Sequence, residues 1–113
     1  MNEPLSVNEV LDNLPNLVGR EVSVRGILHY QFEDVAIYHS PTSEQRSVYG
    51  SSIWIDVGSG AFQFNESACE ALDGTMVVIA GTLLGPDPSF GGCGHMSLWP
   101  GAILARSLER DKR

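Results

Sequence analysis

The residues best able to do chemistry crowd into one stretch, GGCGHMSLWPG from Gly91 to Gly101, which sets Cys93, His95 and Met96 within four positions. Thiolate sulfur and imidazole nitrogen are zinc ligands, and Cys69, His29 and His39 could complete a set of four. Structural zinc sites show paired short spacings such as C-x-x-C, whereas here one C-x-H pair stands by itself. A cysteine nucleophile needs a base and a third group that orients it. His95 could favour the thiolate of Cys93, but no motif supplies the third member. The plainer reading is a turn that aims a strand. Gly91, Gly92 and Gly94 give it conformational freedom, Cys93 acts as a small apolar residue and Met96 as an adaptable one. Glu33 and Asp34 are adjacent acids, and adjacency splays them apart, which suits a turn better than an acid–base pair. GGCGH also lacks the lysine and following helix of a phosphate-cradling loop. The chain carries no enzyme signature, and neither a metal nor a cofactor is expected.

Those residues sit in a chain of 113, the size of one domain. Apolar content of 42% against 19% charged marks a globular protein. No apolar run reaches the ~18–20 residues of a membrane span, and MNEPLSVNEV has neither the basic nor the apolar region of a signal peptide. Two cysteines make no disulfide framework, so a reduced cytoplasmic setting is expected. Formal charge is −7, with fourteen acids against seven bases. Three of those bases, Arg110, Lys112 and Arg113, stand in the last four positions, so the body is more acidic than the total. Unselective phosphate binding draws on clustered Lys and Arg, of which the chain is short. A basic protein is the easier electrostatic match, and solubility is a sufficient alternative reason for the acidity.

The elements follow from periodicity. Ser6 and Glu9 have the spacing of a capping box, and Val7, Val10, Leu11 and Leu14 recur at helical spacing until Pro15 ends the helix. A first strand, EVSVRGIL, alternates Val22 and Val24 with Ser23 and Arg25 and is interrupted by Gly26. DVAIYHS is a second strand, SIWIDVG a third and TMVVIAGTLL a fourth, again with a glycine inside it. MSLWPGAILARSLE is the fifth, with Pro100 and Gly101 early in it. NESACEALDG reads as a short helix between strands three and four, with Asn65 as N-cap and Gly74 as the left-handed residue after it. Leu17, Gly19, Val22, Gly26 and Leu28 match Leu72, Gly74, Val77, Gly81 and Leu83 at an offset of 55. Two copies are too few for a repeat protein. The echo implies one physical problem met twice, a long strand that must bend to serve two sheets. The organisation expected is a helical extension over 1–16, a barrel over 17–109 and a basic tail over 110–113.

Bent first and fourth strands let five strands close on themselves and so remove exposed edges. From Leu17 to Leu108, in element order and in the two mid-strand glycines, the chain resembles the OB-fold, a small Greek-key barrel. LVGREVSVRGIL, LDGTMVVIAGTL and GHMSLWPGAI together are similar to small bacterial OB-like proteins that carry a nucleic-acid-binding label from fold alone, and a fold does not imply its function.

If Ile37 and Ile55 point into the barrel, alternation puts Tyr38 and Trp54 outside on strands two and three, the face with which OB-folds bind oligomers. Arg25 would point outward on strand one, Arg46 lies in the adjoining loop, and Tyr49 could join from there. Stacked aromatics suit single-stranded nucleic acid. Glu33, Asp34, Glu44 and Asp56 in the same region favour a protein partner, for which Tyr, Trp and Arg are common anchors. The competing structural reading is that a helix or long loop covers Trp54. The expectation is a non-enzymatic binding module for a protein, with single-stranded nucleic acid second and a small metal-dependent enzyme a distant third.

Overall fold

The computed structural model describes residues 3–31, 34–47, 50–56, 66–86 and 99–111. Along the chain run β1 (Leu5–Ser6), α1 (Val7–Asp12), α2 (Leu14–Leu17), β2 (Glu21–Gln31), β3 (Asp34–Tyr38), a 3-10 turn (Thr42–Glu44), β4 (Ser52–Asp56), α3 (Glu66–Leu72), β5 (Met76–Leu84) and β6 (Ala102–Arg110). The helix expected between strands three and four is α3; its proposed N-cap, Asn65, lies outside the described residues.

The capping box forms. The Ser6 hydroxyl accepts from the Glu9 amide at 3.2 Å, and Glu9 Oε1 accepts from the Ser6 amide at 2.9 Å. Both bonds favour the ionised carboxylate, and with the Ser6 backbone bond as the main cause the Glu9 carboxyl is held below its ordinary range. Pro15 does more than end a helix. It sits at the start of α2, where its missing N–H would have had no helical partner. The two-residue β1, which alternation could not reveal, runs parallel to β2 with Leu5 opposite Val24.

β2 and β5 form an antiparallel pair from Glu21–Thr82 to Ile27–Met76, and the 55-residue echo lies inside it. Val24 faces Ile79, its own counterpart, so the pair has a local twofold centre. The Gly19 amide donates to the Leu83 carbonyl at 2.8 Å, and the Gly74 amide to the Leu28 carbonyl at 2.7 Å. Gly19 and Gly74 both adopt positive φ, 85° and 81°, the left-handed turn that feeds each strand. Gly26 and Gly81 meet a different demand. A Cβ on Gly26 would lie 2.5 Å from the Tyr38 carbonyl oxygen, and one on Gly81 would run into the Leu104 carbonyl. Gly26 stands where β2 passes from pairing with β5 to pairing with β3. Gly81 stands where the ladder to β6 shifts register around Arg106.

The sheet order is β1-β2-β3-β4-β6-β5, and the β2–β5 pairing closes β2 to β6 into a five-stranded ring. Three consecutive antiparallel strands with β5 returning beside the first make a Greek key, and the parallel β4–β6 pairing completes the circuit. Val22, Val24, Leu28, Ile37, Ile53, Ile55, Val77, Ile79, Leu83 and Ile103 fill the interior. Val7 and Val10 of α1 are fully buried in that same core, so residues assigned to an N-terminal extension help to fill the ring. β6 starts at Ala102, after Pro100 and Gly101, and takes in Arg110, which the sequence reading placed in a basic tail. Lys112 and Arg113 lie outside the described residues.

Candidate functional site

Alternation turns Ala36, Tyr38 and Trp54 away from the ring interior, as expected, but the surface they make is not open. Register sets His29, Ala36, Trp54, Ala102 and Leu84 in one row across five strands. The alanines on both sides of Trp54 leave a shallow seat in that row, and the Trp99 indole, 2% exposed, fills it. The rings of Trp54 and Trp99 lie 4.8 Å apart at 55°. Ala36, Tyr38, Trp99 and Ala102 form a second small core outside the ring, against which Trp54 and Leu84 pack. Tyr38 is therefore 8% exposed, a correction to its expected place on an open stacking face. Its ring stacks on His29 at 3.9 Å, and its hydroxyl donates to Asp34 at 2.9 Å. Trp54 keeps an intermediate exposure, so the indole is bedded rather than sealed. Sequence reasoning missed Trp99 as the cover; the signal available was the pair of small residues, Ala36 and Ala102, in strands otherwise rich in large ones.

Both expected arginines are engaged by carboxylates. Arg25 Nε lies 3.0 Å from Asp111 Oδ2, a carboxylate only 10% exposed beyond the end of β6. Arg46 grips Asp12 of α1 with its two terminal guanidinium nitrogens, Nη1 and Nη2, at 2.8 and 2.9 Å. That two-pronged bond holds the Asp12 carboxyl below its ordinary range and raises the Arg46 guanidinium. Tyr49 lies outside the described residues, as does Glu33. The charges that alternation leaves on the outer face of β3 and β4 are Asp34 and Asp56, with His29 3.4 Å from Asp34.

Of the residues weighed as metal ligands, the structure describes His29, His39 and Cys69. Cys69 is buried, and Cys93, His95 and Met96 lie outside the described residues. Among the described residues no three His, Cys, Asp or Glu side chains are grouped so as to hold a metal ion. His39, 3% exposed, has a different task. Its Nδ1 accepts from the Asn8 amide at 3.1 Å, which places the imidazole proton on Nε2, 2.9 Å from Glu44 Oε1. Asn8 Nδ2 donates to the Glu44 carbonyl at 3.0 Å, and Gln45 Nε2 to the His39 carbonyl at 2.9 Å. The loop after β3 is thereby tied to the first turn of α1, so that loop and helix brace the end of the strand carrying Tyr38. No described helix is long and apolar enough to cross a membrane.

No protein-family model matches this chain, and no curated protein matches it. A solved structure does. An OBody bound to hen egg-white lysozyme superposes with a TM-score of 0.58 at 16% identity, over 97% of this chain and 94% of that one. At that identity the likeness speaks for the fold, and it agrees with the closed Greek-key ring drawn from the pairings: the chain has an OB-like β fold.

Proposed function

We propose that the chain is a non-enzymatic binding module that engages a protein through the outer face of β3 and β4. Trp54 is the anchor. It is an indole of intermediate exposure set on the buried Trp99, and rigidly seated aromatics of this kind carry much of the energy in protein interfaces. Tyr38 stiffens the bed, and Tyr49 is a candidate contact in the neighbouring loop. Arg46, roughly half exposed beside Asp12, is a polar contact at the rim, whereas Asp111 holds Arg25 back.

The observation that carries this reading is that Arg25 and Arg46 are each paired with a carboxylate, Asp111 and Asp12, while the Trp54 face is bordered by Asp34 and Asp56. Such a face favours a partner with basic residues and repels phosphates. The superposed OBody binds a protein, lysozyme, which supports the use of this fold for protein recognition. A reducing cytoplasm is the setting proposed, on cysteine content alone.

The test compares affinity capture by the wild type and by Trp54→Ala from the same cell extract. A partner retained by the first and lost by the second, and released by added salt, is expected. An identical set of captured proteins would remove Trp54 as the anchor. The stacked aromatics favour single-stranded nucleic acid as the second reading. Titration with labelled single-stranded DNA and RNA at two salt concentrations decides it, because binding that weakens steeply with salt would displace the protein-partner reading.

A further inference from the structure

The local twofold symmetry of β2 and β5 exposes a difference between their outer edges. β6 covers the start of β5: Val78 faces Glu109, Val77 faces Arg110, and the Met76 carbonyl accepts from the Asp111 amide at 3.0 Å. The counterparts of Met76, Val77 and Val78 at the 55-residue offset are Glu21, Val22 and Ser23. These three form one wall of a groove of about 430 Å³, completed by Glu3, Leu5, Leu17 and Arg20. On that edge of β2, β3 pairs with Ile27 to Gln31 and β1 with Val24 and Arg25 only. Leu5, opposite Val24, stands where Leu108 stands opposite Ile79. Before Leu5 comes Pro4, which has no N–H with which to extend the ladder.

The backbone of β2 is directed to use this groove. The Arg20 carbonyl accepts from Leu83, and Leu28 exchanges bonds with Gly74 and Thr75, so even-numbered residues face the β5 side. Alternation then turns the N–H and C=O groups of Glu21 and Ser23 to the opposite edge, into the groove. A parallel pair centred on Leu5 and Val24 draws on the Ser23 carbonyl. The Ser23 amide and both backbone groups of Glu21 have no strand partner among the described residues.

We propose that this groove accepts an extended segment of a partner protein as a short added strand on Glu21–Ser23, antiparallel to β2 as β6 is to β5. The chemistry of the segment follows from the lining. Leu5, Leu17 and Val22 offer an apolar floor for one aliphatic side chain. Glu21 is held by Arg106 at 2.5 Å, and Glu3 has a partner of its own. Arg20 has no acidic partner within ion-pair distance among the described residues, so it selects an acidic side chain next to the aliphatic one. This surface is separate from the Trp54 face and does not depend on it.

The test titrates the full chain with a short end-capped peptide alternating valine with aspartate, followed by amide NMR. The largest shifts are expected at Glu21 and Ser23. N-methylation of alternate peptide nitrogens should weaken binding up to about ten-fold. Arg20→Glu, a substitution at an exposed turn position, should transfer the preference to a peptide with lysine in place of aspartate. Trp54→Ala should leave the affinity unchanged. Absence of saturable binding, shifts centred on Trp54, indifference to N-methylation, or equal affinity of Arg20→Glu for both peptides would each overturn the proposal. So would the same amides shifting with protein concentration alone, which would mark the edge as a contact between two copies of the chain.

Discussion

Adding a single methyl group at Gly26 interrogates the closure of the ring more directly than any large truncation. The new Cβ would lie 2.5 Å from the Tyr38 carbonyl oxygen and 2.7 Å from Ile37 Cγ1, whereas ordinary contact begins at 3.4 Å. The Ile37 side chain is fully buried and the carbonyl is main chain, so neither can swing aside. β2 and β3 must part by about 0.9 Å at the residue pair where β3 joins the ladder, Ile27 and Tyr38. Overpacking of this kind costs about 1–3 kcal/mol, and one strained ladder bond adds about 0.5–1.5 kcal/mol. Removing a glycine from a strand returns about 0.5–1 kcal/mol. The terms centre on a net loss of about 2 kcal/mol from a domain whose whole stability is on the order of 5–15 kcal/mol. Urea unfolding followed by tryptophan fluorescence measures it, since Trp54 and Trp99 pack together outside the ring. At a slope of about 1–3 kcal/mol per molar urea the midpoint should fall by roughly 1 M. Gly74→Ala is the control, because its methyl would meet open space and face only the left-handed backbone at φ 81°, a cost of about 1–2 kcal/mol. A Gly26→Ala variant within about 0.5 kcal/mol of wild type would refute the close approach, and with it the account of how β2 serves two neighbours.

Other measurements address the remaining parts. Trp99→Ala should cost about 3–5 kcal/mol, as a fully buried indole does, while Trp54→Ala should cost clearly less; equal losses in paired denaturation curves would contradict the second core. His39→Ala removes the acceptor of the Asn8 amide and the partner of Glu44 and should cost about 2–3 kcal/mol, with faster hydrogen exchange at Asn8; an unchanged exchange rate would mean that the tie is not made in solution. Ser6→Ala should cost about 1 kcal/mol by loss of the N-cap, read from the unfolding midpoint. The carboxyls of Glu9 and Asp12 are held below their ordinary values by Ser6 and Arg46, so their contribution is present above the ordinary carboxylate range and is lost as pH falls through the lowered values. Stability measured against pH should accordingly decline less steeply on acidification in Asp12→Asn, Glu9→Gln than in the wild type.

Much of the architecture was legible one residue at a time. Alternation of Val22 with Ser23 and of Ile53 with Trp54 settled which side of each strand faces inward, because strand side chains change face at every residue. Ser6 with Glu9 was enough to start a helix, because a capping box closes within one turn. The 55-residue echo announced that two strands meet the same demand, because close contact at Gly26 and Gly81 is tolerated by glycine alone; that the two strands pair with each other about a twofold centre came only from the structure. Such features depend on neighbours in sequence, or on a residue type with no substitute. What lies over the outer face was beyond reach, because it depends on contacts far apart in the chain. Alternation could turn Tyr38 and Trp54 outward but could not show Trp99 arriving from 45 positions beyond Trp54 to roof them. Arg25 reaches its partner at Asp111 and Arg46 its partner at Asp12 only after the ring has closed. A side chain's direction is set by the local backbone, whereas its exposure and its ionic partner are set by whatever the fold brings alongside, and here that difference converted an expected stacking platform with two cations into an acidic face with one half-covered indole.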